Sequence, residues 1–321
     1  MTIQLNTFDR WTHDSDSGSN YDRVGRGFQD SHWGELIQGP VDYQGDIHTA
    51  LITLPRTDRF ATAKFQPFAG SGVCVNPIWK SKAKYAAEAV LDRAGRHDIA
   101  GQLVVMNNIL ENGGGGSSTA DIIAAIRATT DAINFEMSDE TIQHLCWEIE
   151  GASDPLALME QCGTVVYGSR CGQIIQQLAE PLPPMVCLGF VSSPDETVLT
   201  ESLVGHEGYT TTEVQTFVGV VDDAERGIAL RRADLVAKAA TKSARLNQFR
   251  LETRNFDELV RLSSKCGALG LGVSHSGVVA AAIFDPRTPD LAQRMGFLAD
   301  GLVQLGCDEI EPFTINTTTR S

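Results

Sequence analysis

The sequence lacks the motifs and apolar runs that define several large protein classes. It contains no G-x-x-x-x-G-K-[ST] and no G-x-G-x-x-G segment, which excludes the Walker-type phosphate loop and the common dinucleotide fingerprint. No apolar run approaches the roughly 18 residues that a membrane-spanning helix needs, and residues 1–20 are polar and acidic, unlike a secretory signal. These absences predict a cytoplasmic protein without a membrane partner.

Signatures of zinc sites, disulfides and nucleic-acid binding are also missing. The seven cysteines are odd in number and include no C-x-x-C pair, and the seven histidines include no H-E-x-x-H motif. Lysine and arginine number 26 against 41 acidic residues, a net charge of -15 that would repel a nucleic-acid backbone. We therefore expect no nucleic-acid partner, and we expect any metal to be held by oxygen ligands.

The most informative segment present is a run of four glycines followed by hydroxyl residues: Asn112, Gly113, Gly114, Gly115, Gly116, Ser117, Ser118 and Thr119. Consecutive glycines allow backbone N–H groups to converge on an anion. Isoleucines at helical spacing follow between residues 121 and 130, which places the run at the N-terminus of a helix. The segment predicts a phosphate cradle for a nucleotide. The alternatives are a flexible glycine linker and, for each serine, a simple helix cap.

The chain is long enough, at 321 residues with 42% hydrophobic content, for one large or two medium domains. We expect residues 1–30 to form a flexible opening and the short apolar runs between residues 34 and 65 to form several strands. The segment Pro181-Leu182-Pro183-Pro184 predicts a boundary between domains 31–183 and 184–321. A single long helix is expected over about 223–249, and a further helix capped at Thr288.

Four segments occur in an order that resembles the GHMP kinase superfamily, which includes galactokinase, homoserine kinase and mevalonate kinase. They are GELIQG at 34–39, SSTADI at 117–122, AATKSARLNQ at 239–248 and GALGLGVSHSG at 267–277. The resemblance implies an α+β fold with an N-terminal nucleotide-binding α/β domain, like domain 2 of ribosomal protein S5, and a C-terminal ferredoxin-like domain. It also implies that the active site lies between the two domains.

The same resemblance implies an activity, namely ATP-dependent phosphorylation of a small-molecule hydroxyl with Mg²⁺. Within the superfamily the segments are similar to the L-threonine kinases of cobalamin biosynthesis, which implies L-threonine as acceptor and O-phospho-L-threonine as product. A kinase for another small alcohol or hydroxy amino acid and a non-catalytic nucleotide or metabolite sensor are the alternatives. We expect a monomer or a homodimer.

Roles for two carboxylates follow from the resemblance. Glu150 and Ser118 are expected to hold the metal, and Asp154 to act as the base or to orient the acceptor hydroxyl. The two carboxylates are four residues apart, so they share a helix face if the helix continues through Gly151. Glu148 stays open as the metal ligand, and acidic residues on a solvated helix end are the alternative.

The remaining expected site residues come from the other three segments. The resemblance implies a catalytic cation at Lys242, and it implies substrate contacts by Glu35, Gln38, Asn247, Gln248, Ser274, His275, Ser276 and Gly277. Alternatives remain for these positions. The polar residues of the 239–248 segment could face water, the 34–39 segment could be a tight turn, and His275 could hydrogen-bond locally or act as a base.

Overall fold

The computed structural model describes Tyr21 and residues 23–110, 114–194, 209–250, 252–274 and 276–317. In these residues the strands are β1 (Gly25–Tyr43), β2 (Asp46–Ala69), β3 (Gly72–Asn76), β4 (Ile99–Asn107), β5 (Val165–Gly168), β6 (Gln173–Gln177), β7 (Met185–Val191), β8 (Gly270–Val273), β9 (Val279–Phe284) and β10 (Asp308–Ile315). The helices are α1 (Ser81–Arg93), α2 (Ser117–Ile133), α3 (Asp139–Glu150), α4 (Met159–Cys162), α5 (Thr211–Ala229), α6 (Ala233–Asn247), α7 (Phe256–Lys265) and α8 (Leu291–Gln304). Among the described helices, none combines the length and the apolar character needed to cross a bilayer.

The first sheet is built around one long antiparallel hairpin, β1–β2, rather than around the several short strands that the sequence predicts. Pairing runs from Gly25 opposite Phe65 to Tyr43 opposite Asp46, with register shifts between residues 30 and 37. The sheet order is β3-β4-β2-β5-β6, with β1 on β2. Residues 25–30, which the sequence predicts to be flexible, form the first part of β1.

Helix α2 packs directly on this hairpin. Most of its residues are buried, because it is rich in alanine and isoleucine on every side. The backbone of β1 approaches α2 so closely that a Cβ on Gly27 would lie 1.9 Å from the Ala124 carbonyl oxygen. Only glycine fits there, and this close approach fixes where the N-terminus of α2 meets β1.

The second sheet has the strand order of a ferredoxin-like domain. Its order is β10-β7-β9-β8, all antiparallel, with α5–α7 between β7 and β8 and with α8 between β9 and β10. The predicted long helix is two helices, because the chain turns between α5 and α6 with Arg231 at a φ of 51°. The last helix begins after Asp290, which occupies the N-cap position without a side-chain cap hydrogen bond, rather than after Thr288.

The two sheets share a hydrophobic core although a proline-containing connection at 181–184 separates them in the chain. Trp33 of β1 donates its indole N–H to the Ala280 carbonyl of β9 at 2.9 Å. The buried Arg56 guanidinium lies 4.4 Å from the Trp33 ring centroid and 5.0 Å from that of Phe313, and it pairs with Glu311 at 2.5 Å. This stack holds β10 of the second sheet against β1 and β2.

Candidate active site

The glycine run ends at the N-terminus of helix α2. Gly116 precedes α2 with a φ of 69°, and the first helical hydrogen bond is donated by the Ala120 N–H to the Gly116 carbonyl at 2.9 Å. The N–H groups of residues 117–119 therefore have no helical partner, at the positive end of the helix dipole. No side chain caps α2, so the prediction that either serine is a helix cap is wrong. Asn112 and Gly113, which begin the predicted cradle, lie outside the described residues.

The imidazole of His32 packs against this helix start. A Cβ on Gly116 would lie 2.3 Å from His32 Cδ2 and 2.4 Å from Nε2, so the ring occupies the space that any side chain at 116 would need. Nε2 lies 3.0 Å from Asp154 Oδ2, and Nδ1 lies 3.2 Å from the Gly34 carbonyl oxygen. Both ring nitrogens thus face an acceptor, which favours the doubly protonated imidazolium.

The charge on His32 follows from its neighbours. Complete burial of the ring acts to lower its pKa, but the carboxylates of Asp154 and Glu35 outweigh burial and raise the pKa to about 9. His32, Glu35 and Asp154 lie close enough to share one ion. With the proton on His32, the imidazolium and the Asp154 carboxylate form an ion pair within this cluster.

Asp154 and Glu150 reach the same region by a different route from the predicted one. Helix α3 stops at Glu150, because Gly151 adopts a φ of 73° and ends it. The chain then turns, and Gln143 holds the Asp154 carbonyl through an amide hydrogen bond of 2.8 Å. The condition for a shared helix face, that α3 continues through Gly151, is therefore not met, although the negative charge of Asp154 still acts on Glu150.

Glu150 is the buried carboxylate next to the glycine run. It accepts a hydrogen bond from the Thr119 hydroxyl at 2.6 Å and lies 3.7 Å from Lys82 Nζ. Burial raises the pKa of Glu150, partly opposed by the hydroxyls of Ser118 and Thr119. Glu148 points to the outer surface, where it pairs with Arg93 at 2.5 Å and with His144 at 3.3 Å.

The predicted substrate residue Gln38 lies at a junction of three segments. Its carbonyl accepts hydrogen bonds from Ser243 Oγ at 3.0 Å and from Asn247 Nδ2 at 2.8 Å, both on α6. Its side-chain amide donates to the Ser274 carbonyl at 3.3 Å. Glu35, on the same strand, is almost fully buried. Asn247 is therefore a residue that positions Gln38.

The 267–277 segment packs against the glycine run that precedes α2. A Cβ on Gly114 would lie 3.2 Å from both Ser274 Cβ and Ser276 Oγ, and the hydroxyls of these two serines are 2.8 Å apart. Gly277 donates its N–H to the Ser274 carbonyl at 2.9 Å, and its own carbonyl accepts from Ser192. The structure brings this segment and the glycine run together. His275 lies outside the described residues.

Two predicted residues are placed elsewhere. Lys242 is about half exposed, and its ammonium pairs with Asp223 of α5 at 3.1 Å. Gln248 forms hydrogen bonds with Ala244 and Thr253, which tie the end of α6 to the segment that follows. The structure gives no support to a catalytic Lys242 or to a substrate contact by Gln248.

Three residues near the site were not predicted from the sequence. His32 is one of them. Its position two residues before the 34–39 segment is the feature of the sequence that could have identified it. Lys80 places its ammonium 2.5 Å from Asp121 on α2, and the adjacent Trp79 is 71% exposed. A large aromatic side chain next to the helix that carries the glycine run is a surface available for ring stacking.

Comparison with known proteins assigns this fold to a family of kinases. Residues 81–168 match the model of the GHMP kinases N-terminal domain, and residues 224–296 match that of the GHMP kinases C-terminal domain. Together these regions make up half of the chain. The chain belongs to the GHMP kinase family, which confirms the predicted fold.

Individual relatives agree with this assignment. An L-threonine kinase from Salmonella typhimurium is 26% identical over 184 residues, which span 57% of this chain and 60% of that relative. Homoserine kinase from Cytophaga hutchinsonii superposes with a TM-score of 0.69 at 14% identity, covering 95% of this chain and 98% of the other. L. major mevalonate kinase, solved with R-mevalonate, gives 0.60 at 15% identity over 94% and 97% of the two chains.

Proposed function

We propose that this protein transfers the terminal phosphoryl group of ATP to the hydroxyl of a small molecule. The observation that carries the proposal is the position of His32, between the N-terminus of α2 and the Asp154 carboxylate. A helix N-terminus binds phosphate, and a buried carboxylate orients a hydroxyl. The His32 imidazole contacts both groups, so a phosphate at the α2 N-terminus and a hydroxyl at Asp154 would lie close together.

Each group then has a distinct task. The backbone amides of residues 116–119 bind the phosphates, and the His32 imidazolium adds positive charge beside them. Asp154 takes up the proton of the substrate hydroxyl while the oxygen of that hydroxyl bonds to the γ-phosphorus. The bond from that phosphorus to the β–γ bridging oxygen breaks, and ADP leaves with the electron pair.

Glu150 and Ser118 are the residues that would hold Mg²⁺. Both offer oxygen ligands, which Mg²⁺ prefers, and the buried Glu150 carboxylate gains from a nearby cation because burial disfavours its charge. The ion would neutralise charge on the β- and γ-phosphates. The outward position of Glu148 leaves Glu150 as the proposed ligand.

The acceptor proposed here is L-threonine, with O-phospho-L-threonine as product. The support is the similarity to an L-threonine kinase over 184 residues. The test is ADP release with L-threonine, L-serine, L-homoserine and R-mevalonate, each at equal concentration. We expect the highest kcat/KM with L-threonine. Equal or faster turnover of R-mevalonate would contradict L-threonine as the acceptor. The absence of ADP release with every hydroxyl compound would favour a nucleotide sensor.

The role of Asp154 is tested by the Asp154→Asn variant. We expect kcat to fall by about 10²- to 10⁴-fold, because the hydroxyl loses its proton acceptor, while the Kd for ATP measured by calorimetry changes little. Lys242→Ala, which removes a half-exposed cation that pairs with Asp223 of α5, should keep kcat within about threefold. An equal loss of ATP affinity in Asp154→Asn would contradict the assignment.

A further inference from the structure

One face of helix α3 carries both Glu150 and a buried glutamine, Gln143. The two residues are seven positions apart, so they lie on the same side of the helix about two turns from each other. Glu150 ends the helix, whereas Gln143 is only 2% exposed. The chain folds back after Gly151, so Asp154 lies beside Gln143 rather than beyond the end of α3.

The side-chain amide of Gln143 binds the turn that contains Asp154 through both of its ends. Its Oε1 accepts the Ala157 N–H at 3.1 Å, and its Nε2 donates to the Asp154 carbonyl at 2.8 Å. A backbone N–H can only donate and a carbonyl can only accept, so these two bonds determine the orientation of the amide. The Asp154 carbonyl also accepts the Leu156 N–H at 2.9 Å, which keeps the turn tight.

The residue before Asp154 is bound by the same amide and by strand β5. Ser153 Oγ lies 3.1 Å from Gln143 Nε2 and 3.3 Å from the hydroxyl of Tyr167, which is itself 3.3 Å from that Nε2. Burial raises the pKa of Tyr167 to about 12, so its hydroxyl keeps the proton at neutral pH and can both donate and accept. The Ser153 N–H donates to the Ser169 carbonyl at 3.1 Å. The turn is therefore attached to α3 and to the end of β5.

This network acts on the Asp154 carboxylate through its backbone. An aspartate side chain is short, so the position of its carboxylate follows closely from the position of its main chain. Pro155 restricts the backbone of Asp154 further. In this arrangement Asp154 Oδ2 lies 3.0 Å from His32 Nε2. Helix α3 thus places both carboxylates of the candidate site, Glu150 directly and Asp154 through the Gln143 amide.

We propose that Gln143 is a positioning residue for Asp154. By binding the 153–157 turn to α3, it sets the separation between the Asp154 and Glu150 carboxylates and keeps Asp154 against His32. It touches neither the substrate nor the reacting atoms. The inference rests on the proposed function, in which Asp154 takes up the proton of the acceptor hydroxyl and Glu150 holds Mg²⁺.

The test is the Gln143→Met variant, which keeps the length of the side chain and removes both hydrogen-bonding groups. The first readout is the titration of His32, followed by NMR of the full chain with histidine 13C-labelled at Cε1 and assigned with His32→Gln. Asp154 and Glu35 raise the pKa of His32 to about 9, so a displaced Asp154 should make His32 titrate at least about one pH unit lower.

The second readout is steady-state kinetics of ADP release. We expect kcat to fall by about 10- to 100-fold in Gln143→Met, because the proton acceptor is no longer held in place. The KM for ATP should stay within about twofold, because the N-terminus of α2 keeps its own contacts. Every variant is measured below its unfolding midpoint, so a loss of stability alone does not move either readout.

Two further variants complete the experiment. Gln66→Met removes an exposed amide that donates to the carbonyls of Tyr21 and Pro67, and it should leave both readouts unchanged. Ser153→Ala removes one bond of the network and keeps the direct bond from Gln143 to Asp154. It should move both readouts in the same direction by less, and it decides the question if Gln143→Met does not fold.

The His32 titration needs no turnover, so it separates this inference from the proposed function. A lower His32 pKa with unchanged kcat would support the positioning by Gln143 and contradict Asp154 as the proton acceptor. An unchanged His32 pKa in every network variant that folds would overturn the inference, and so would a lower unfolding midpoint with wild-type kcat and wild-type His32 titration.

Discussion

The buried ion pair between His32 and Asp154 makes the stability of the protein depend on pH in a predictable direction. The pKa of His32 is raised in the folded state from 6.5 to about 9, so the folded chain holds this proton more tightly than the unfolded chain. The resulting stabilisation is complete below pH 6.5 and is lost as the pH rises to 9. At about 1.4 kcal/mol per pKa unit, it is worth up to about 3 kcal/mol.

The experiment is urea unfolding of the wild type and of His32→Gln at intervals from pH 6 to pH 10. Glutamine keeps a donor for Asp154 but does not titrate, so the difference between the two curves isolates the imidazole. We expect the wild type to lose up to about 3 kcal/mol relative to the variant between pH 6.5 and 9. His144→Gln, an exposed histidine paired with Glu148, is the matched control and should follow the wild-type curve. Parallel curves for wild type and His32→Gln would refute the charged imidazole.

The other predictions concern the nucleotide side of the site. Gly116→Ala should lower the unfolding midpoint strongly, because its Cβ meets the His32 ring at 2.3 Å, whereas Gly115→Ala should lower it less, because its Cβ meets Ile109 at 3.2 Å; a larger loss from Gly115→Ala would contradict the described packing of the glycine run. Glu150→Gln should raise the Mg²⁺ concentration needed for half-maximal activity about tenfold, and Glu148→Gln should not change it. Trp79→Ala should raise the KM for ATP by about 5- to 20-fold with little change in kcat if its exposed ring stacks on the adenine; an unchanged KM would remove it from the site.

The sequence predicted the parts of the fold that local chemistry determines. The start of α3 is one example, because Ser138 caps it by accepting the Thr141 N–H at 3.3 Å. It mispredicted the β1–β2 hairpin, because glycine and proline usually end strands, whereas here the register shifts near residues 31–37 absorb them. The chain turns between α5 and α6 because Arg231 adopts a left-handed backbone conformation. No local sequence pattern predicts that conformation for an arginine.

The candidate site was predicted to a similar extent. The carboxylates and the glycine run could be identified because each has a chemical signature within a few residues. His32 could not be assigned a role in this way, because its function depends on Gly116 and Asp154, 84 and 122 positions away in the sequence. The role of Lys242 stays a prediction from the resemblance of its segment, and in the structure its ammonium pairs with Asp223 of α5.

The stack of Trp33, Arg56 and Phe313 limits which C-terminal halves of other kinases could be combined with the N-terminal half of this chain. The first half contributes an indole and a guanidinium that only the second half covers, and a chain cut at the proline connection would expose both. A chimaera that joins residues 1–183 to the corresponding half of another kinase would need a matching aromatic ring and carboxylate at 313 and 311. Without them, the buried Arg56 guanidinium would keep only the Asp58 carboxylate of its own half as a partner at the seam.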